Sequence, residues 1–341
     1  MFRLSLVALV LTGMPLCASA QRAPINPGHN VGVESCRDCH EEMGEAWEKS
    51  VHATSFETLA ASEESAKMAE ILSIAPADIP MTASCVRCHY TQEPLFGVVQ
   101  PTEGISCESC HGGGLDWIDE HNRRSLSREQ RIATSAKAGM VHPGAISAVA
   151  KSCYECHVVD DEQLVNQVGH PAISDGFEFL SWYSGEVKHN FLTPDSGDGI
   201  RDHLDDPQTI PQDRKRMLYL AGKLQHLAHT LAALSRATDA PVDPEGKFVR
   251  LENGRYTFAV QHALEVQRLR TDIEAILEKA SIREFAEASV ILRGLDFSTG
   301  RNADWKAASE EVMQLADAFC EKHDGSEFVA IDGILADLTA R

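Results

Sequence analysis

Aromatic side chains are scarce in this chain: Phe, Tyr and Trp together make up 6% of 341 residues. A chain of this length holds one large domain or two ordinary ones, so something other than aromatic rings must fill part of its interior. Basic residues are also in deficit, with 31 Lys and Arg against 51 Asp and Glu, a net charge of −20. Phosphate backbones are bound by clustered Lys and Arg, so this balance argues against nucleic acid as a partner. It favours partner proteins with a basic patch. After the first twenty positions there is no apolar run of 18 or more residues, which excludes later membrane-spanning helices. At 43% apolar and 24% charged the chain is not a disordered tail. What is plentiful is cysteine and histidine, 10 and 15 respectively.

The first twenty residues read as an export signal. Arg3 is followed by a short apolar stretch, Leu4 to Leu16, and Ala18-Ser19-Ala20 forms a small-x-small cleavage site before Gln21. The expected location of the mature chain is the periplasm. Removing residues 1–20 also removes Cys17 and leaves nine cysteines.

Eight of those nine form four Cys-x-x-Cys pairs, and His follows each pair at once. The cassettes are Cys36–Cys39–His40, Cys85–Cys88–His89, Cys107–Cys110–His111 and Cys153–Cys156–His157. Disulfides in an exported protein or paired zinc sites would use the cysteines, but neither requires His in that place. Attachment of a c-type haem requires it every time. The cysteines form thioethers with the haem vinyl groups, and the adjoining His is the proximal iron ligand. Four haem c groups are the expected cofactors, and their porphyrins would replace the missing aromatic core.

Function then turns on the far side of each iron. An iron with two histidines exchanges electrons, whereas one with an open face can transform a small molecule. His52, His121, His170 and His189 are the distal candidates, with His142 in reserve. Electron transfer is the favoured reading. The alternative is an oxidoreductase acting on a small nitrogen or sulfur compound at one five-coordinate haem. No catalytic residue is assigned.

The cassettes, Trp47 with His52, and the segment Gly104-Ile105-Ser106-Cys107-Glu108-Ser109-Cys110-His111-Gly112-Gly113 resemble the cytochrome c-554 family of periplasmic tetrahaem cytochromes. The resemblance covers roughly residues 33–191. It implies an electron carrier with stacked haem pairs, mostly bis-His ligated.

Beyond Pro194–Pro211, an acidic linker rich in turn residues, the pattern becomes helical. Met217, Leu220, Leu224, Leu227, Leu231 and Leu234 form one apolar stripe, and Ala259, His262, Val266, Leu269, Ile273 and Ile276 a second. Trp305, Ala308, Val312, Leu315 and Phe319 form a third, and Phe328, Ile331, Leu335 and Leu338 a fourth. A further helix is expected near residues 282–292. His226 and His229 fall off the first stripe, at i and i+3; solvent is the default expectation for them, with a metal or a haem edge as the alternatives. His262 is expected to be a hydrogen-bonded core histidine, and Cys320 a buried, inert thiol. The fold class is mainly α: a loop-rich tetrahaem domain over residues 21–193, a linker over 194–211 and an antiparallel helical bundle over 212–341. The bundle is a candidate for docking or oligomerisation.

Overall fold

The computed structural model describes residues 26–185, 210–298 and 301–339. Residues 1–20, where the sequence places an export signal, lie outside the described residues, as do His189, His203 and nearly all of the acidic linker. The fold is mainly helical, as the sequence indicates.

The N-terminal half is a series of short helices around one hairpin. They are α1 (Val33–Arg37), α2 (Glu41–Glu48), α3 (Val51–Ala61), α4 (Glu63–Ile71), α5 (Ala83–His89), α6 (Cys107–His111), α7 (Ile118–His121), α8 (Arg128–Lys137), α9 (Ile146–His157) and α10 (Phe179–Ser184). Strands β1 (Thr91–Leu95) and β2 (Val98–Glu103) pair antiparallel between the second and third cassettes. Helix α3 begins at Ser50, whose side chain accepts from the Ala53 N–H, and α8 begins at a capping box of Ser127 and Gln130.

The C-terminal third contains α11 (Gln212–Leu234), α12 (Phe258–Lys279), α13 (Arg283–Gly294), α14 (Asn302–Lys322) and α15 (Asp332–Thr339). Polar cross-links show the antiparallel arrangement. On α11 and α12, Lys223 pairs with Asp272 and His226 faces Glu265. On α11 and α14, Ser309 donates to the Ala228 carbonyl, and Asn302 donates to those of Ser235 and Ala237. Arg216 grips Asp332 with two bonds of 2.7 Å. The four stripes read from the sequence lie in the bundle core, with Leu315 and Leu338 only partly buried.

Helix α11 departs from the expected single stripe, because it is the central helix and is packed on every side. Arg216, Lys223, Gln225, His226 and Thr230 are buried along with its leucines. The cause is α9, which lies against the face that the sequence pattern would leave to solvent. Ile146, Ala150, Tyr154, Phe177 and Phe179 share one continuous core with Leu220, Leu224 and Leu227. The main hydrophobic core therefore runs from the fourth cassette into the bundle. A smaller cluster, Ala69, Ile79, Val86 and Tyr90, supports the second cassette.

Candidate cofactor site

Each cassette lies on a tight helical turn. Helices α5, α6 and α9 end on the cassette histidine itself, and in the first cassette the His40 N–H closes a turn onto the Cys36 carbonyl at 3.0 Å. On a helix, positions i, i+3 and i+4 share one face, so both thiols and the imidazole of a cassette point the same way. No cassette cysteine is bound in a disulfide.

The cassettes adjoin one another in an order that differs from their order in sequence. Cys36 of the first is in side-chain contact with Cys107 of the third. Cys88 of the second is in the same contact with Cys156 of the fourth. Ser152, beside the fourth, donates to the Cys110 carbonyl of the third at 3.3 Å. The spatial order is first, third, fourth, second.

Three cassette histidines face a histidine from elsewhere in the chain. His40 faces His121 with ring centres 6.3 Å apart and planes 29° apart. His89 faces His170 at 6.3 Å and 65°, and His157 faces His52 at 6.1 Å and 65°. A coordinating nitrogen lies about 2 Å from a metal and roughly 1 Å from its own ring centre, so two imidazoles on opposite sides of one ion have centres about 6 Å apart. All three pairs have that separation. Among the described residues no cluster of three or more His, Cys, Asp or Glu is placed to hold a metal by itself. That departs from the four-ligand grouping of a zinc site. The histidines come in twos, which is what a haem iron takes from a chain.

Electrostatics and hydrogen bonding suit the same role. Burial drives the pKa of His89 down to about 4 and that of His157 to about 3, with neighbouring imidazoles adding to both. Burial, then His121, lowers that of His40. Metal binding needs the neutral imidazole, and these rings are held neutral. The Nδ1 of His111 bonds to the Val141 carbonyl at 2.8 Å, that of His121 to Ile118 and that of His170 to Pro171. Such bonds fix the tautomer and leave Nε2 for a metal.

A cavity of about 930 Å³ runs past the second and fourth cassettes, His52, His170, and Cys110 and His111 of the third. Protein interiors rarely leave voids much larger than a water molecule, and a space this size marks where a large prosthetic group fits. Its walls include Phe177, stacked on His157 at 3.8 Å, and Trp182 at 5.4 Å from the same ring.

The remaining sequence candidates fall in different places. His189 lies outside the described residues. His142 accepts a bond from the Gly144 N–H at Nδ1, and among the described residues its ring is not opposed to a cassette histidine. His262 is the expected core histidine, with Nε2 3.0 Å from the Val159 carbonyl. Cys320 is packed at the edge of the core, and burial pushes its thiol up to about 12. The expectation for His226 and His229 is corrected. His226 is buried and stacks on Tyr154 of the fourth cassette at 4.7 Å, and His229 lines the cavity.

The roles of two residues in the family-like segment were not read from the sequence. Glu108, within the third cassette, is fully buried, and its carboxylate accepts from the Val31, Gly32 and Gly114 N–H groups. It ties the segment before α1 to the third cassette. The only signal in the sequence was a carboxylate between two cysteines. Gly104 is a second such residue: a Cβ there would meet the His52 carbonyl at 2.2 Å. The next residue, Ile105, donates to that same carbonyl at 2.9 Å and accepts from the Trp47 indole at 2.7 Å.

Residues 35–112, which hold the first three cassettes, match the family described as Cytochrome c554 and c-prime. The match covers that segment, under a quarter of the chain. The cassettes have the pattern of a c-type cytochrome, and this similarity supports haem c as the group they fit. Cytochrome c-554 of Nitrosomonas europaea is 25% identical over 134 residues, covering 37% of this chain and 57% of that protein. The chain thus spans a little over half of that relative's length. No solved structure matches.

Proposed function

We propose that this cytochrome holds four haem c groups and passes electrons along them in the periplasm. The observation that carries the reading is the set of three imidazole pairs, each a cassette histidine opposite a distant one, at 6.1–6.3 Å. Bound haem supplies a one-electron iron couple whose potential follows from its ligands, burial and nearby charge. The residues of the chain set those terms. His40 and His121 hold the first haem, His89 and His170 the second, and His157 and His52 the fourth. For the third, His111 is the proximal ligand, and His189 is the remaining distal candidate from the sequence.

Two further features support electron transfer. The cassettes adjoin in a continuous series, so the electron route would run first, third, fourth, second. The acidic balance of the chain would steer encounter with a basic patch on a redox partner. Export rests on the signal-like composition of residues 1–20.

The test is the mass and haem content of the purified, exported protein. Four covalent haems per chain and four electrons taken up on full reduction are expected. Fewer than four of either overturns the reading.

A further inference from the structure

Helix α11 belongs to the bundle, well past the segment that matches the cytochrome family at residues 35–112. It nevertheless forms part of the cavity wall. His229, Ala232 and Ala233 line the cavity, and Arg236 follows just beyond the helix end. These positions recur at helical spacing and share one face. The two alanines keep that face low, so that a flat group can lie close to the backbone.

At the rim the wall carries charge. The Arg236 guanidinium pairs with one oxygen of Asp160, and Arg87 of the second cassette pairs with the other at 2.6 Å. Arg87 also donates to the Glu155 carbonyl of the fourth cassette at 3.0 Å. Arg87, Asp160 and Arg236 together sum to one positive charge. Both arginines are about half exposed, which places this corner where the cavity meets water.

A haem brings two carboxylates, and a carboxylate leaves water at a cost unless it is paired. Guanidinium is the side chain best shaped to pair with one. We infer that α11 is a haem-seating wall and that Arg236, together with Arg87, receives a haem carboxylate at the rim of this cavity. This rests on the four-haem reading above. It gives the bundle a part in the cofactor site itself: Arg236 positions and charge-compensates a haem, and does not ligate its iron.

The test uses the full-length holoprotein, with covalent haem counted first and the four midpoint potentials then measured by spectroelectrochemical titration. Arg236→Gln removes a positive charge beside a haem, which favours the ferric form and lowers its potential. The expected result is full haem content with one potential lowered by about 59 mV, a tenfold change in that haem's oxidised-to-reduced ratio for a one-electron couple. Arg236→Lys restores most of the shift. Arg283→Gln, which removes an exposed bundle arginine paired with Glu287, moves none of the four. If Arg236→Gln leaves all four potentials in place at full haem content, or if Lys behaves as Gln does, the inference is overturned. A wild-type chain with fewer than four covalent haems strikes down the four-haem reading first, and this inference with it.

Discussion

Protonating His262 should loosen the bundle in mild acid. This ring is fully buried on α12, and its Nε2 meets the Val159 carbonyl just after the fourth cassette. Burial lowers its pKa from 6.5 to about 4, partly opposed by that hydrogen bond and by Asp160. The folded state therefore binds its proton later than the unfolded state does. The resulting stability is complete above pH 6.5 and is lost as the pH falls towards 4. At ~1.4 kcal/mol per pH unit, the full difference is about 3 kcal/mol, of which about 2 kcal/mol is gone by pH 5. His229, held at about 4 chiefly by burial, titrates over the same range and adds to the loss. Hydrogen exchange resolved to peptides of α12 measures the local opening free energy directly. It should fall by at least about 2 kcal/mol between pH 7.5 and pH 5. His262→Gln keeps a donor for Val159 but does not titrate, so the variant should lose a clearly smaller amount. An opening free energy flat to within about 0.5 kcal/mol over this range, or a variant that tracks wild type, refutes the reasoning.

Three other substitutions probe the site. Glu108→Ala strands three buried N–H donors and should cost about 3–5 kcal/mol, read as proteolytic release of the residues before α1 at denaturant concentrations that leave wild type intact. Gly104→Ala pushes against the His52 carbonyl; a high-spin signal confined to the haem of the fourth cassette is expected, and unchanged spectra would show that α3 can give way. His170→Ala should turn one haem in four high-spin and let cyanide bind there, while leaving the covalent haem count at four. A variant that stays fully low-spin would remove His170 from the second haem.

The chemistry of this chain was more legible in its sequence than its packing. Cys-x-x-Cys-His states its own purpose, because two thioethers and one axial ligand need those three residues on one helical turn. The partners His52, His121 and His170 could be named as candidates, but not matched to cassettes. That matching depends on how α3, α7 and the turn at Gly169 fold back across 81 to 105 residues of chain. The bundle stripes were readable because an apolar row at 3.6-residue spacing needs a neighbour to cover it. The same rule misled at His226 and His229. A polar residue off a stripe faces water only if nothing packs on that side, and here α9 does. Glu108 was illegible for a related reason: a buried carboxylate is stable only with donors brought from distant positions, and these come from both sides of it in sequence.

The most direct test of the histidine pairing is a quantified EPR spectrum of the oxidised native protein, set against its haem content. The three imidazole pairs predict that at least three haems in four are low-spin, and His189 as the fourth distal ligand predicts that all four are. The His40–His121 haem, whose rings lie 29° apart, should give the most rhombic low-spin signal. High-spin iron at more than one haem in four would contradict the pairing of His40 with His121, His89 with His170 and His157 with His52.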